Sequence, residues 1–282
     1  MSASNVLLQT TQTFQGLVPE IRPSCIQKSR SVFSKIPNGI PVTVGRLLSQ
    51  IEPKPKQAML LGQCQDGLPI LMGLDDPTVG AILVSGENSC GKTHQCQVMV
   101  DSALQLHAAD ELQISILTLH PEEWAYLTAD RQRQASIHGI HAWYDYRSEK
   151  MVKGLSNLAE MRRDGCQYQT RHMIILDDLN FVEYLSYEAQ MIIHWLLAYG
   201  SQLGFTMIAS INSVYYSDFR YWIDIFRTRI LGKTDSQDEG DVLAMHPGSE
   251  TETLAPGYYR VWTEGAWLTY QLPLLGDFSH WR

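Results

Sequence analysis

The chain has 282 residues, of which 44% are apolar, and a formal net charge of −8 at pH 7. A chain of this size and composition can bury one large core, or one core with a small appendage. No run reaches the roughly 18 to 20 apolar residues that span a bilayer, and the first residues lack the basic and apolar regions of a secretory signal. We therefore expect a cytoplasmic protein without membrane insertion. The acidic balance also argues against simple coating of nucleic acid.

Residues 1–56 differ in composition from the rest of the chain. They are rich in Ser, Thr, Gln and Pro and end in IEPKPK, where alternating proline favours extended chain. We interpret them as an N-terminal arm that docks on a protein partner or on its own core, and a partly disordered tail is the alternative. Within the arm, VTVGRLLSQI could form a strand or one helical turn. Residues 57–282 are predicted to form the main domain.

From Gln57 onward, apolar strands alternate with helices. Asp66-Gly67 predicts the turn of a hairpin. Buried strands are predicted at AILVS (81–85), LQISILTL (112–119), HMIIL (172–176) and FTMIAS (205–210), with further strands at TRILG (228–232) and in YYRVWTEGAWLTYQL (258–272). Helices are predicted over 91–107, 147–163 and 189–203. Nearly all-apolar strands separated by helices indicate an α/β fold, with a mostly parallel central sheet covered by helices on both faces.

The segment GENSCGKT, between a predicted strand and a predicted helix, matches the phosphate-loop pattern GxxxxGK[ST]. Glycines at its first and sixth positions let successive N–H groups turn inward around phosphate, and the helix N-terminus adds its dipole. Lys92 would reach the β and γ oxygens, and the Thr93 hydroxyl would ligate Mg²⁺. The candidate nucleotide-binding residues are Gly86, Glu87, Asn88, Ser89, Cys90, Gly91, Lys92, Thr93 and the following His94. ATP and Mg²⁺ are the expected cofactors.

A second candidate element is HMIILDDLN, in which two aspartates follow an apolar strand. In such folds the first acid, here Asp177, lies beside the magnesium, and the second, Asp178, can polarise the attacking water. The alternative is that both aspartates cap the turn before the next helix.

Four stretches in this order resemble the FtsK/HerA branch of P-loop ATPases. They are QDGLPILMGLDDPTVGAILVSGENSCGKT, GLSNLAEMRRDG, MIILDDLNFV, and GSQLGFTMIASINS with IFRTRILGKTDS. The resemblance implies a RecA-like ATPase that assembles into a ring such as a hexamer and moves double-stranded DNA. It also implies an arginine finger supplied by a neighbouring subunit. Among Arg227, Arg229 and Lys233, Arg229 matches the family's Thr-Arg-Ile string best, although a solvated or salt-bridged strand edge remains the alternative.

Two departures from the family pattern bear on turnover. Asp178 stands where the family has glutamate, and a water displaced by about an ångström can lose on the order of a hundredfold in rate. Ile211 stands where the family has a glutamine that senses the γ-phosphate, and Asn212 comes one place later. ATP binding is therefore better supported than fast hydrolysis.

Three functions are compatible with these features. The first is an ATPase, DNA-stimulated as in the family, that couples hydrolysis to DNA movement. The second is a nucleotide-dependent assembly or regulatory switch with slow or no turnover, which acts through protein partners. The third is a small-molecule kinase that uses the same loop, which the lack of an evident arginine-rich lid disfavours.

Overall fold

The structure, a computed structural model, describes residues 26–28, 42–166 and 170–276. Within these residues one eleven-stranded sheet runs through the molecule, in the order β1-β3-β2-β11-β10-β9-β4-β8-β7-β5-β6. The strands are β1 (Ile26–Lys28), β2 (Ala58–Cys64), β3 (Pro69–Gly73), β4 (Ile82–Gly86), β5 (Leu112–Thr118), β6 (Ile137–Ala142), β7 (Arg171–Asp177), β8 (Phe205–Asn212), β9 (Thr228–Leu231), β10 (Tyr258–Thr263) and β11 (Ala266–Gln271).

The sheet has a parallel part and an antiparallel part. Strands β9, β4, β8, β7, β5 and β6 run parallel, and the remaining strands extend the sheet beyond β9 as antiparallel neighbours. This arrangement confirms the expected α/β fold. The sequence does not predict β6, because IHGIHA holds two histidines and a glycine where an apolar run would stand.

Helices cover both faces of the sheet. The α-helices are α1 (Val44–Leu48), α2 (Lys92–Leu106), α3 (Tyr126–Ala129), α4 (Arg131–Gln134), α5 (Tyr146–Arg163), α6 (Tyr187–Tyr199), α7 (Arg220–Ile223) and α8 (Gln237–Ala244). Side chains alternate along each strand, so Ile82 and Val84 pack with α2 on one face while Leu83 packs with α5 and α6 on the other. Among the described residues, no helix is long and apolar enough to cross a membrane.

Part of the predicted N-terminal arm packs on the core of its own chain. Helix α1 buries Val44, Leu47 and Leu48 against Leu60 of β2 and Val98 of α2. The segment that precedes α1 also pairs with the chain after β11, since the Val44 N–H donates to the Leu274 carbonyl and the Leu274 N–H donates to the Val42 carbonyl. Most of the predicted arm, over residues 1–25 and 29–41, lies outside the described residues.

Arg131 and Arg133, in the polar segment TADRQRQAS, belong to the short helix α4. Asp130 caps α4 by accepting from the Gln132 N–H. Arg133 of this helix reaches the buried Asp101 of α2, with 2.6 Å between guanidinium and carboxylate. This ion pair attaches the polar TADRQRQAS segment to α2.

His172, near the start of β7, is a buried histidine without a hydrogen-bond partner on either ring nitrogen. Its ring lies 5.4 Å from the ring of His138 and 5.9 Å from that of Phe205. Burial, with repulsion from His138 and Arg162, lowers the pKa of His172 to about 3. The folded protein therefore holds this imidazole neutral in mildly acidic solution, where the unfolded chain protonates it.

We predict that His172→Leu flattens the pH dependence of stability. As pH falls below about 6.5 the unfolded wild-type chain gains a proton that the folded protein does not, so stability is lost by about 1.4 kcal/mol per pH unit through this group, down to the folded pKa. Urea titrations of both proteins at several pH values between 4 and 7 measure the difference, with the exposed His120→Leu as control. Parallel pH profiles for wild type and His172→Leu would contradict a neutral buried His172.

Candidate nucleotide site

The phosphate loop joins the end of β4 to the start of α2, and two glycines allow its shape. Gly91 has φ 102°, a left-handed conformation that a side chain resists. A Cβ on Gly86 would lie 2.7 Å from the Cys90 sulfur and 3.0 Å from the Lys233 carbonyl oxygen. Both fixed glycines of the pattern are therefore required by local geometry, and α2 directs its N-terminus at the loop as an anion site requires.

Lys92 crosses the mouth of this loop. Its side chain is only 8% exposed, and its ammonium donates to the Glu87 carbonyl oxygen at 3.0 Å. The cation is thus held against the loop for which the sequence pattern predicts β- and γ-phosphate binding.

Thr93 and Asp177 form the centre of the site. The Thr93 hydroxyl donates to Asp177, with oxygen–oxygen distances of 3.1 and 3.3 Å to the two carboxylate oxygens. The indole N–H of Trp143 holds the backbone carbonyl of Asp177 at 3.1 Å. Burial, with repulsion from Asp178, raises the pKa of Asp177 to about 6. A hydroxyl and a crowded carboxylate are hard oxygen ligands, so Thr93 and Asp177 fit a small divalent cation such as Mg²⁺.

Ser210, on the neighbouring strand β8, bridges the two aspartates. Its hydroxyl oxygen lies 2.5 Å from Asp177 Oδ1 and 2.6 Å from Asp178 Oδ1. The peptide bond between the aspartates is cis. Asp178 precedes the 3₁₀ turn Leu179–Tyr184, but its side chain makes no capping hydrogen bond there. The Asp178 side chain therefore does not cap this turn.

Side chains alternate between the two faces of β8, which explains why Ile211 does not take the place of the family's glutamine at the site. Ile211 is fully buried in the core under α6, whereas Ser210 and Asn212 point to the opposite face, toward the site. The Asn212 amide donates to the side chain of Asn88 in the loop at 2.7 Å. The polar residue at this strand end is thus Asn212, and it does contact the phosphate loop. Sequence reasoning missed the contribution of Ser210, although its position two residues before Asn212 carried the signal.

Lys233, which follows β9, contacts the loop from the other side. Its ammonium lies 2.9 Å from the Glu87 carboxylate, and its carbonyl accepts from the Glu87 N–H at 2.7 Å. Lys233 was expected as a candidate for action on a neighbouring subunit. The structure places it beside the loop of its own chain.

Arg229 occupies the interior, which corrects the expectation that it reaches a neighbouring subunit. It is 7% exposed, and its guanidinium donates to the carbonyls of Phe226, Leu243 and Ile223 at 3.2, 2.7 and 2.9 Å. Each of the three guanidinium nitrogens thus donates to a backbone carbonyl of the same chain. The physical role of Arg229 is to satisfy carbonyl groups around α7 and α8.

The C-terminal hairpin covers the loop, a contact that the sequence pattern does not reveal. The Cys90 carbonyl accepts from the Gly257 N–H at 3.3 Å and from the Tyr259 hydroxyl at 3.4 Å. The His94 ring nitrogen Nε2 lies 2.9 Å from the Pro273 carbonyl. These contacts arise because the sheet order puts β10 next to β9 and β9 next to β4. Burial raises the pKa of the Cys90 thiol, so the sulfur stays protonated and unreactive.

No protein-family model and no curated protein sequence matches this chain. Solved structures do match. EssC (ATPases 2 and 3) from Geobacillus thermodenitrificans is 18% identical over 84% of this chain and 45% of its own, with a TM-score of 0.67. Thermomonospora curvata EccC (ATPases 2 and 3), in complex with a signal sequence peptide, is 14% identical over 79% and 41%, with a TM-score of 0.61.

The pCW3 conjugation coupling protein TcpA, solved with ATPγS, is 14% identical over 88% of this chain and 73% of its own, with a TM-score of 0.60. These likenesses show that the chain shares the α/β fold of the EssC, EccC and TcpA structures. This confirms the fold expected from the sequence. The chain spans less than half the length of the EssC and EccC structures it matches.

We predict that Arg229→Met destabilises the fold rather than removing an external contact. The three carbonyls would lose charge-assisted donors in a buried setting, at a cost of about 2–4 kcal/mol in unfolding free energy. Urea titration measures the loss, and the exposed neighbour Arg227→Met is the matched control, with a change within about 1 kcal/mol. An Arg229→Met protein of wild-type stability would contradict the interior role.

Proposed function

We propose that the chain binds ATP with magnesium and hydrolyses it. The observation that carries the proposal is the direct contact of Thr93 with Asp177, which joins the phosphate loop to the acidic strand end in the arrangement that a nucleotide-bound magnesium needs. Chance motifs in an unrelated fold would not bring these two side chains within hydrogen-bond distance.

Each group has a role in this proposal. Lys92 and the loop N–H groups hold the β- and γ-phosphates, while Thr93 and Asp177 would hold the magnesium directly or through water. The bound cation would neutralise phosphate charge as the leaving oxygen departs. Asp178, kept beside Asp177 by the Ser210 hydroxyl, orients the attacking water. Binding ATP would displace the Lys92 ammonium from the Glu87 carbonyl onto phosphate.

Movement of double-stranded DNA is the second part of the proposal. It rests on the family resemblance of the sequence and on the likeness of the fold to TcpA, a conjugation coupling protein. In this proposal the chain acts in the cytoplasm as a ring, such as a hexamer, built from the domain over residues 57–282. With Arg229 inside the fold, any trans-acting arginine would have to come from another position.

A nucleotide-dependent switch is the alternative function, and two observations favour it. Aspartate replaces glutamate at position 178, and Ser210 holds that short side chain against Asp177 rather than toward open space. EccC, which has the same fold, was solved with a bound peptide. In the switch, ATP would control docking of a protein partner, with residues 1–56 as the docking extension, and turnover would be slow.

We predict ATP hydrolysis that duplex DNA stimulates. Steady-state phosphate release is measured with and without duplex DNA, for wild type and Lys92→Ala. Loss of the Lys92 ammonium removes a charge-assisted phosphate contact, so ATP affinity falls by about tenfold or more and turnover becomes undetectable. The surface variant Lys153→Ala is the control and behaves as wild type.

Each result decides between the functions. Stimulation by DNA supports the motor. Tight ATP binding without turnover, with partners or oligomers that form only with ATP, supports the switch. Unchanged ATP affinity in Lys92→Ala would contradict both the motor and the switch.

Substitutions at Asp178 separate holding ATP from hydrolysing it. We predict that Asp178→Asn lowers kcat by about a hundredfold while the Kd for ATP changes by less than about threefold, because the carboxylate acts on water rather than on phosphate. Asp178→Glu, which restores the longer side chain of the family, should raise kcat above wild type. Normal hydrolysis by Asp178→Asn would show that this carboxylate does not orient the water.

A further inference from the structure

Two lysines converge on one residue of the phosphate loop. Lys92 donates to the carbonyl of Glu87, and Lys233 pairs with the carboxylate of the same residue. Both ammonium groups thus lie beside the same residue of the loop. Sequence patterns assign a phosphate role to the first lysine alone.

The Glu87 carboxylate is unfavourable in a loop that binds anions. A polyphosphate entering the loop would be repelled by the Glu87 charge unless a cation offsets it. Lys233 supplies that cation in the free protein. Once phosphate arrives, its greater negative charge competes with the single carboxylate for the same ammonium.

The backbone of Lys233 is fixed against the loop, while its side chain remains half-exposed. Besides the Glu87 N–H bond to the Lys233 carbonyl, the Gly232 N–H donates to the Ser85 carbonyl at 2.7 Å. A Cβ on Gly232 would lie 3.0 Å from the Cys90 sulfur, so the chain approaches the loop as closely as glycine permits. The side chain, by contrast, is 37% exposed, and its ammonium is held by the Glu87 carboxylate.

The direction of approach indicates which phosphate Lys233 would meet. Strand β9 lies beside β4 on the side opposite β8, so Lys233 flanks the loop across from Asp177 and Asn212. Glu87 comes directly after Gly86, and its carbonyl already binds Lys92, the residue that serves the β- and γ-phosphates. A terminal phosphate bound by Lys92 would therefore lie next to Glu87, the residue whose carboxylate holds the Lys233 ammonium.

We propose that Lys233 is a second phosphate-binding cation of this site, supplied by the same chain, which Glu87 holds at the loop until the γ-phosphate of ATP takes it over. The inference rests on the proposed ATP site and deepens it. Charge at the γ-phosphate would then be neutralised from within one subunit, and this part of catalysis would not depend on a neighbour's arginine.

Binding of ATP and ADP to Lys233 variants tests the inference. With magnesium present, Lys233→Ala should weaken ATP binding by about tenfold and ADP binding by less than about threefold, since ADP lacks the phosphate concerned. Lys233→Arg keeps the charge and should restore most of the ATP affinity. The control is Lys153→Ala, because Lys153 forms an equally short ion pair, 2.9 Å from Glu188, on the far surface of α5 and α6.

The partner residue gives an independent arm. Glu87→Gln releases Lys233 and removes the repelling charge, so ATP should bind several-fold more tightly, and Lys233→Ala added to it should cancel the gain.

The outcomes separate this inference from the proposed function. If Lys92→Ala abolishes ATP binding while Lys233→Ala changes neither Kd nor kcat, the ATP site stands and the role of Lys233 is refuted. Equal losses of ATP and ADP affinity in Lys233→Ala would also refute a contact with the γ-phosphate. Wild-type protein that binds no ATP would overturn the proposed function, and this inference with it.

Discussion

The adjacency of β4, β8 and β7 is the constraint on which the rest of the site depends. Parallel strands end at the same edge of a sheet, so the residues that follow them meet without any long-range loop. Gly86 ends the first strand, Asn212 the second and Asp177 the third. Polar groups separated by more than 30 residues in the chain are thereby held at hydrogen-bond distance by backbone pairing. Strand pairing fixes Asp177 relative to the end of β4, and the phosphate loop then carries Thr93 from that end to the carboxylate.

The sequence predicts this half of the site well, and the reason is local. The glycines, Lys92 and Thr93 lie within eight consecutive residues, and each acidic or polar strand end follows an apolar run that identifies its strand. The hairpin at Asp66-Gly67 and the helix after the loop are predicted for the same reason. The polar residue that seems to be missing at Ile211 is also explained by one strand. Side chains alternate along β8, so the residue that faces the site is Asn212.

The other half could not be predicted, since it depends on which strands become neighbours. Lys233 meets Glu87 only because β9 inserts beside β4, and Tyr259 meets Cys90 only because β10 follows next. The orientation of an arginine side chain is also difficult to predict from sequence. A string such as Thr-Arg-Ile does not say whether the guanidinium points outward or, as in Arg229, turns inward to bind three carbonyls. Lys and Arg side chains are long enough to reach solvent or to turn into the fold, and the packing around them determines which occurs.

The segment Leu272–Leu274 has a mechanical consequence. Pro273 is tied to His94 in the first turn of the loop helix, and Leu274 is paired on both sides with the chain at Val42 and Val44. One short strap thus joins the phosphate-bearing helix to the entry of α1, where the described chain leads back toward its N-terminal residues. A small displacement of that helix as phosphates enter would pull on the strap, and the strap on α1. Such a connection would transmit a movement of the loop helix to α1, which packs on β2, without any change in the order of the strands.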